Sequence, residues 1–202
     1  MTKFLRFDES LIIKRLSLLP AVSKATFSLC CATRQLAAWE EYSGRFCPDV
    51  RYVAIEIVEK LCASLASNVV PIDWNVLLNE IMALLPEEVD HWAPFHVYPD
   101  DAVASIAYTI RCLKDSSDQE AAWSARRAYE ASDQAAIRDL DIQTGHAESE
   151  SRILSHFIVQ RELARQERDL QLLEIRSDSN VLATMKSYAY SEKTLETSEM
   201  LK

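Results

Sequence analysis

Apolar residues recur along this chain at three- and four-residue spacing, separated by short polar breaks, so helices are the elements it predicts. In FDESLIIKRLSLL, Leu11, Ile12, Leu16 and Leu19 mark a first helix, with Asp8 as N-cap and Glu9 in the first turn. Pro20 suits the first turn of a second helix, PAVSKATFSLCCATRQLAAWEEYSG. Its buried stripe runs through Phe27, Cys30, Cys31, the stem of Arg34 and Ala38, and Gly44 is its expected stop. A third helix opens at Pro48 or Asp49 and points Val50, Val53, Ala54, Ile57, Val58, Leu61 and Leu65 inward. Asp73 caps a fourth, with Val76, Leu77, Ile81 and Leu84 inward.

PEEVDHWAPFHVY reads as a connector, followed by PDDAVASIAYTIRCLKD as a helix with Val103, Ile106, Ala107, Ile110 and Leu113 on one face. Ser117 precedes Glu120 by three residues, the pattern of a capping box, and starts the next helix. After a turn at Gly145, a long charged helix is expected from about Glu148 to Arg176, carrying Ile153, Phe157, Leu163, Leu170 and Leu173. Beyond Ser177 the chain turns Ser/Thr-rich and weakly periodic. The expected architecture is therefore an all-α, single-domain bundle of about six or seven helices over residues 1–176. Residues 177–202 are expected to form a polar C-terminal tail, partly helical or disordered.

Composition sharpens this picture. Two glycines in 202 residues disfavour β-rich folds and phosphate-cradling loops. A net charge of −9 argues against nucleic acid and anionic membrane as partners, and permits a basic protein. The start MTKFLRFDES does not read as a signal peptide, and no apolar run approaches a membrane span. Five cysteines without a C-x-x-C pair suit a reducing cytoplasm, with the thiols as small core residues.

The stretch DHWAPFHVYPDD gathers Asp90, His91, His96, Asp100 and Asp101. His91 and His96 are five apart with Pro94 between them, a poor spacing for a helical metal pair. The simpler reading makes Pro99 the first residue of a helix and sets Asp100 and Asp101 in its first turn. No metal, cofactor or catalytic residue is therefore assigned. Cys30 and Cys31 lie in an apolar setting that leaves thiols inert, and the pairs Glu40–Glu41 and Glu87–Glu88 read as exposed carboxylates. Between Pro86 and Glu120, eight acids face only two bases. Helix starts and connectors carry them, so Glu87, Glu88, Asp90, Asp100 and Asp101 form a candidate docking surface for a cationic partner.

KATFSLCCATRQ, YSGRFCPDVRYVAIEIVEKL, VYPDDAVASIAYTI and ERDLQLLE, in that order, resemble the YjaG-like family of small bacterial helical proteins, a domain of unknown function. The resemblance covers about residues 8–176 and leaves out the tail. It implies an all-α domain with no assigned activity, in which Tyr98-Pro99 is a fixed helix start and the preceding histidines play no part. The functional expectation is a non-enzymatic protein-binding module, for instance an immunity or antitoxin-like inhibitor covering a basic partner. The alternatives are a regulatory or housekeeping homo-oligomer and, third, a metal- or thiol-dependent enzyme.

Overall fold

A computed structural model describes residues 4–66, 72–85, 97–176 and 179–200. Among these residues there are eleven α-helices, one 3-10 turn and no strand. The all-α class is as expected, and the number of helices exceeds the six or seven read from periodicity. α1 spans Glu9–Leu16, α2 Ala21–Arg34, α3 Leu36–Phe46, α4 Val53–Ala66, α5 Trp74–Met82 and α6 Val97–Asp115. α7 spans Asp118–Leu140, α8 Ala147–Ser155, α9 Phe157–Ile175, α10 Ser179–Ser191 and α11 Thr197–Met200.

The expected caps account for several of these starts. Asp8 accepts from Leu11 N at 2.9 Å, Asp73 from Asn75 N and Val76 N, and Ser117 from Glu120 N at 3.2 Å. Each satisfies a backbone donor that the first helical turn leaves open.

Two of the additional helices come from interruptions that the sequence does not punctuate. The second expected helix breaks at Gln35, and the long charged helix breaks at His156, which is extended. Neither site has a glycine or proline. Gly44 is not a stop: it lies inside α3, beside the Arg51 guanidinium. α3 runs on to Phe46, and Pro48–Val50 forms a 3-10 turn before α4. Leu11, Val76 and Phe157, expected inward, are 51%, 50% and 59% exposed.

α2 is the central helix. From Ala25 to Arg34 every side chain is buried. On one side Leu29 and Ala32 join Trp39, Ile57, Leu61 and Ile106 in one cluster. On the other, Phe27, Cys30 and Cys31 meet Ile12 and Leu16 of α1, alanines of α7, and Leu170 and Leu173 of α9. α6 and α7 form the most extensive helix pair. Ser105 of α6 and Ser124 of α7 meet in their contact, and both helices carry small side chains without exposure, Ala102 on α6 and Ala121 and Ala128 on α7. Small side chains let helix backbones approach closely. The hydroxyls in this seam satisfy one another: Ser105 and Ser124 Oγ are 2.7 Å apart, and Ser124 donates to the Ser28 carbonyl at 3.0 Å.

The stretch expected as a polar tail contributes α10 and α11. Met185, Ala189, Leu195 and Met200 are buried there, at 3% exposure or less.

Candidate functional site

The residues read as a docking surface fare differently from one another. Glu87, Glu88, Asp90, His91 and His96 lie outside the described residues. Asp100 and Asp101 stand in α6, which is described from Val97, so Tyr98 and Pro99 are already helical. Asp100 is half-buried. Asp101 departs from its expected place on the surface: it is 2% exposed and its Oδ1 accepts from Arg127 of α7 at 3.2 Å. Its Oδ2 is buried with no hydrogen-bond partner. Burial pushes the Asp101 carboxyl up to about 7; Arg127 opposes that shift and Glu130 adds to it. Adjacent helical residues point about 100° apart. One aspartate of a pair can therefore face inward while its neighbour does not.

The most organised charged constellation lies elsewhere, between α2, α9 and the C-terminal segment. Arg34, the last residue of α2, donates to Asp169 Oδ2 at 2.6 Å and to Glu162 Oε1 at 3.1 Å. All three side chains are at most 1% exposed. Gln166 bridges Glu162 to the Ala125 carbonyl of α7, both at 3.0 Å. Arg168 donates to the other oxygen of Asp169 at 2.8 Å. Thr194 closes the layer from above: its hydroxyl donates to Glu162 at 3.2 Å, and its N–H donates to the Arg34 carbonyl at 2.9 Å. That carbonyl is free to accept because α2 ends there.

Burial works against the charged form of Arg34, but Glu162 and Asp169 outweigh it and hold the guanidinium protonated far above its ordinary range. At the buried centre the Arg34 guanidinium faces two carboxylates, and Arg168, partly exposed and shared with Glu192, reaches Asp169 from the rim. The layer's polar atoms are still not all satisfied: Arg34 Nε, Gln35 Oε1 and Gln166 Oε1 are buried without partners. With Arg34, Glu162 and Asp169 closed off from solvent, the layer acts on the fold, joining three parts of the chain.

The sequence places the Arg34 stem on a buried stripe but does not show the site it builds. One signal was present. Glu162, Gln166, Asp169 and Leu173 fall at i, i+4, i+7 and i+11, so three polar residues share one face with a core leucine. The pair Arg165/Asp169, also one turn apart, does not form the layer's ion pair; Arg34 and Arg168 take Asp169 instead.

Four cysteines are buried, Cys47 is half-buried, and all five are free. Burial raises the thiols of Cys30 and Cys31 well above their ordinary value, and pushes Cys112 up to about 12. Such thiols are protonated and unreactive at neutral pH. Among the described residues no group of three or more His, Cys, Asp or Glu side chains is arranged to hold a metal ion. No helix among them is long and apolar enough to cross a membrane. A groove of about 310 Å³ lies between α2, α4 and α10, lined by Thr26, Cys30, Thr33, Cys62, Leu182 and Lys186 among others.

These features define an all-α bundle knit by an internal ion layer. A family described as "Protein of unknown function (DUF416)" matches residues 11–194, and the chain belongs to it. The match runs past Arg176 to Thr194, so most of the stretch set apart as a tail lies within the family pattern. A crystal structure of a DUF416 family protein from Shewanella baltica OS155 has the same fold, with a TM-score of 0.77. It is 17% identical, and the alignment covers 89% of this chain and 93% of that one. No curated protein matches.

Proposed function

We propose that this chain is a YjaG-like member of DUF416 that works as a non-enzymatic protein-binding module and meets a basic partner through exposed carboxylates. The observation that carries this reading is the distribution of charge. Arg15, Arg34, Arg126, Arg127, Arg161 and Arg168 are all engaged in ion pairs within the chain. These six arginines serve the fold, and with 31 acidic against 22 basic residues the chain keeps an acidic surplus. Glu56, Glu59 and Glu80 of α4 and α5 are exposed. Glu87, Glu88 and Asp90 follow α5 in the chain and enter the proposal on sequence alone; Asp101, being buried, is left out of it. An acidic field of this kind speeds encounter with a cationic surface. An inhibitor of the immunity or antitoxin type, acting in the cytoplasm on a basic toxin, is one concrete form.

The test is recovery of a partner from the native cell, followed by binding kinetics across a salt series. Association is expected to slow as salt rises, because screening acts over about 8 Å at physiological ionic strength. Reversal of Glu80, Glu87 and Glu88 to lysine is expected to lower the on-rate more than it raises the off-rate. A partner whose association ignores both salt and the reversals would sink the proposal.

A further inference from the structure

The outer face of α9 carries Arg161, Arg165 and Arg168, and the chain's own C-terminal segment lies along it. Arg161 grips Glu199 through two hydrogen bonds, 3.0 and 2.7 Å. Arg168 grips Glu192 in the same way, at 2.6 and 2.9 Å. Two parallel N–H···O bonds to one carboxylate give geometric selectivity as well as strength. Between the clamps the main chain is read directly: Arg161 donates to the Thr194 carbonyl at 2.7 Å, and Arg165 donates to the Lys193 carbonyl. Leu195 and Met200 fill an apolar pocket with Ala38, Tyr98, Ala135 and Ile158. Two carboxylates seven residues apart, a main chain held by arginines and apolar anchors make up a peptide-recognition site with its peptide in place.

The floor of that site is unusual for a permanent core. Beneath residue 194 lie Arg34, Glu162, Gln166 and Asp169, all buried and all polar, with Arg34 Nε and Gln166 Oε1 unpartnered. Lifting an ordinary core element exposes apolar surface to water. Lifting this one bares the pocket of Leu195 and Met200, but it also hydrates charges and supplies partners to atoms that lack them.

From these two observations we infer that the arginine face of α9 is a docking surface for an acidic peptide segment, which residues 192–200 occupy in cis as a displaceable strap. The occupant it fits presents two carboxylates at seven-residue spacing with an apolar residue between them. This surface is separate from the acidic one proposed above, and either can fail alone. While the strap is tethered, its high effective concentration keeps an external segment out.

The experiment uses the full chain and a fluorescent synthetic peptide of residues 192–200. In the variant Glu192→Lys/Glu199→Lys, backbone amides of residues 192–200 are expected to exchange at least tenfold faster than in the unmodified chain, with α6 and α7 unchanged. That variant should bind the peptide at least tenfold more tightly than the unmodified chain does, and added salt should weaken the binding. Adding Arg161→Glu and Arg168→Glu should abolish it. Glu192→Gln/Glu199→Gln, nearly isosteric, provides the same readout if the lysine variant does not fold. Unchanged amide protection after either double replacement would overturn the inference. So would a released strap that leaves the peptide unbound, or an oligonucleotide that displaces the peptide from the arginine face.

Discussion

Two contacts hold the centre of this molecule, and they work in opposite ways. The α6–α7 seam is made of alanines and serines whose hydroxyls pair locally, at 2.7 Å between Ser105 and Ser124. The α2–α9 layer is made of full charges contributed from positions as far apart as Arg34 and Asp169. The seam depends on side chains staying small. The layer depends on its charges staying paired. Each should therefore fail under a change that the other would tolerate.

Removing the guanidinium gives the largest expected effect. Arg34→Met leaves Glu162 and Asp169 buried beside a neutral side chain, and should destabilise the fold by about 3–5 kcal/mol. In a chain of this size that is a fall in Tm on the order of 10 °C. Adding Glu162→Gln and Asp169→Asn should recover much of the loss, since the uncompensated charge then disappears. A triple variant no more stable than the single one would show that the layer acts through packing and not through charge balance.

Volume is the complementary probe. Ser124→Leu enlarges a side chain with no exposure that meets Ser105 of α6, with Ser124→Ala as the control for the lost hydroxyl. Overpacking of this kind should cost about 2–3 kcal/mol, measured by urea unfolding. A neutral result would mean that the seam has slack and that the contrast with the layer is false.

Asp101 places a charge at the seam and sharpens the comparison. Its folded carboxyl titrates at about 7, above the ordinary value near 3.8. Between these values the unfolded chain gives up the proton while the folded chain keeps it. Stability from this group is thus fully present below about pH 4 and is lost as pH rises through about 7. Asp101→Asn does not titrate. It should raise stability at pH 8 by roughly 1–2 kcal/mol relative to the unmodified chain, and by nothing measurable at pH 4. A variant equally stabilising at both pH values would show that ionisation of Asp101 is not what the fold opposes.

The sequence disclosed these two regions unequally, for physical reasons. Helical stripes such as Ala54, Ile57, Val58 and Leu61 are legible because local periodicity decides which face is buried. The caps at Asp8, Asp73 and Ser117 are legible because donor and acceptor lie within three residues. The ion layer is a long-range arrangement. No local rule pairs Arg34 with Asp169, and what frees the Arg34 carbonyl for Thr194 is a helix end at Gln35 that no proline or glycine announces. The tail's polarity suggested exposure, because its serines, threonines and glutamates outnumber its apolar anchors. Two of its glutamates, Glu192 and Glu199, instead pair with Arg168 and Arg161 of α9. Asp101 was read as a surface carboxylate because sequence does not tell which of two neighbouring aspartates points toward Arg127.

The alanines of α7 have one more consequence. A methyl group has no rotamers to lose, whereas each buried leucine gives up roughly 0.5–1 kcal/mol of side-chain freedom when it is fixed. Ala121, Ala122, Ala125, Ala128, Ala131, Ala135 and Ala136 are all buried, so a long helix is ordered at its core face almost entirely through the backbone. Alanine is also the residue whose backbone most readily accepts that conformation. The core face of α7 thus has little side-chain entropy to surrender, and the ordering of flexible side chains falls to its neighbours.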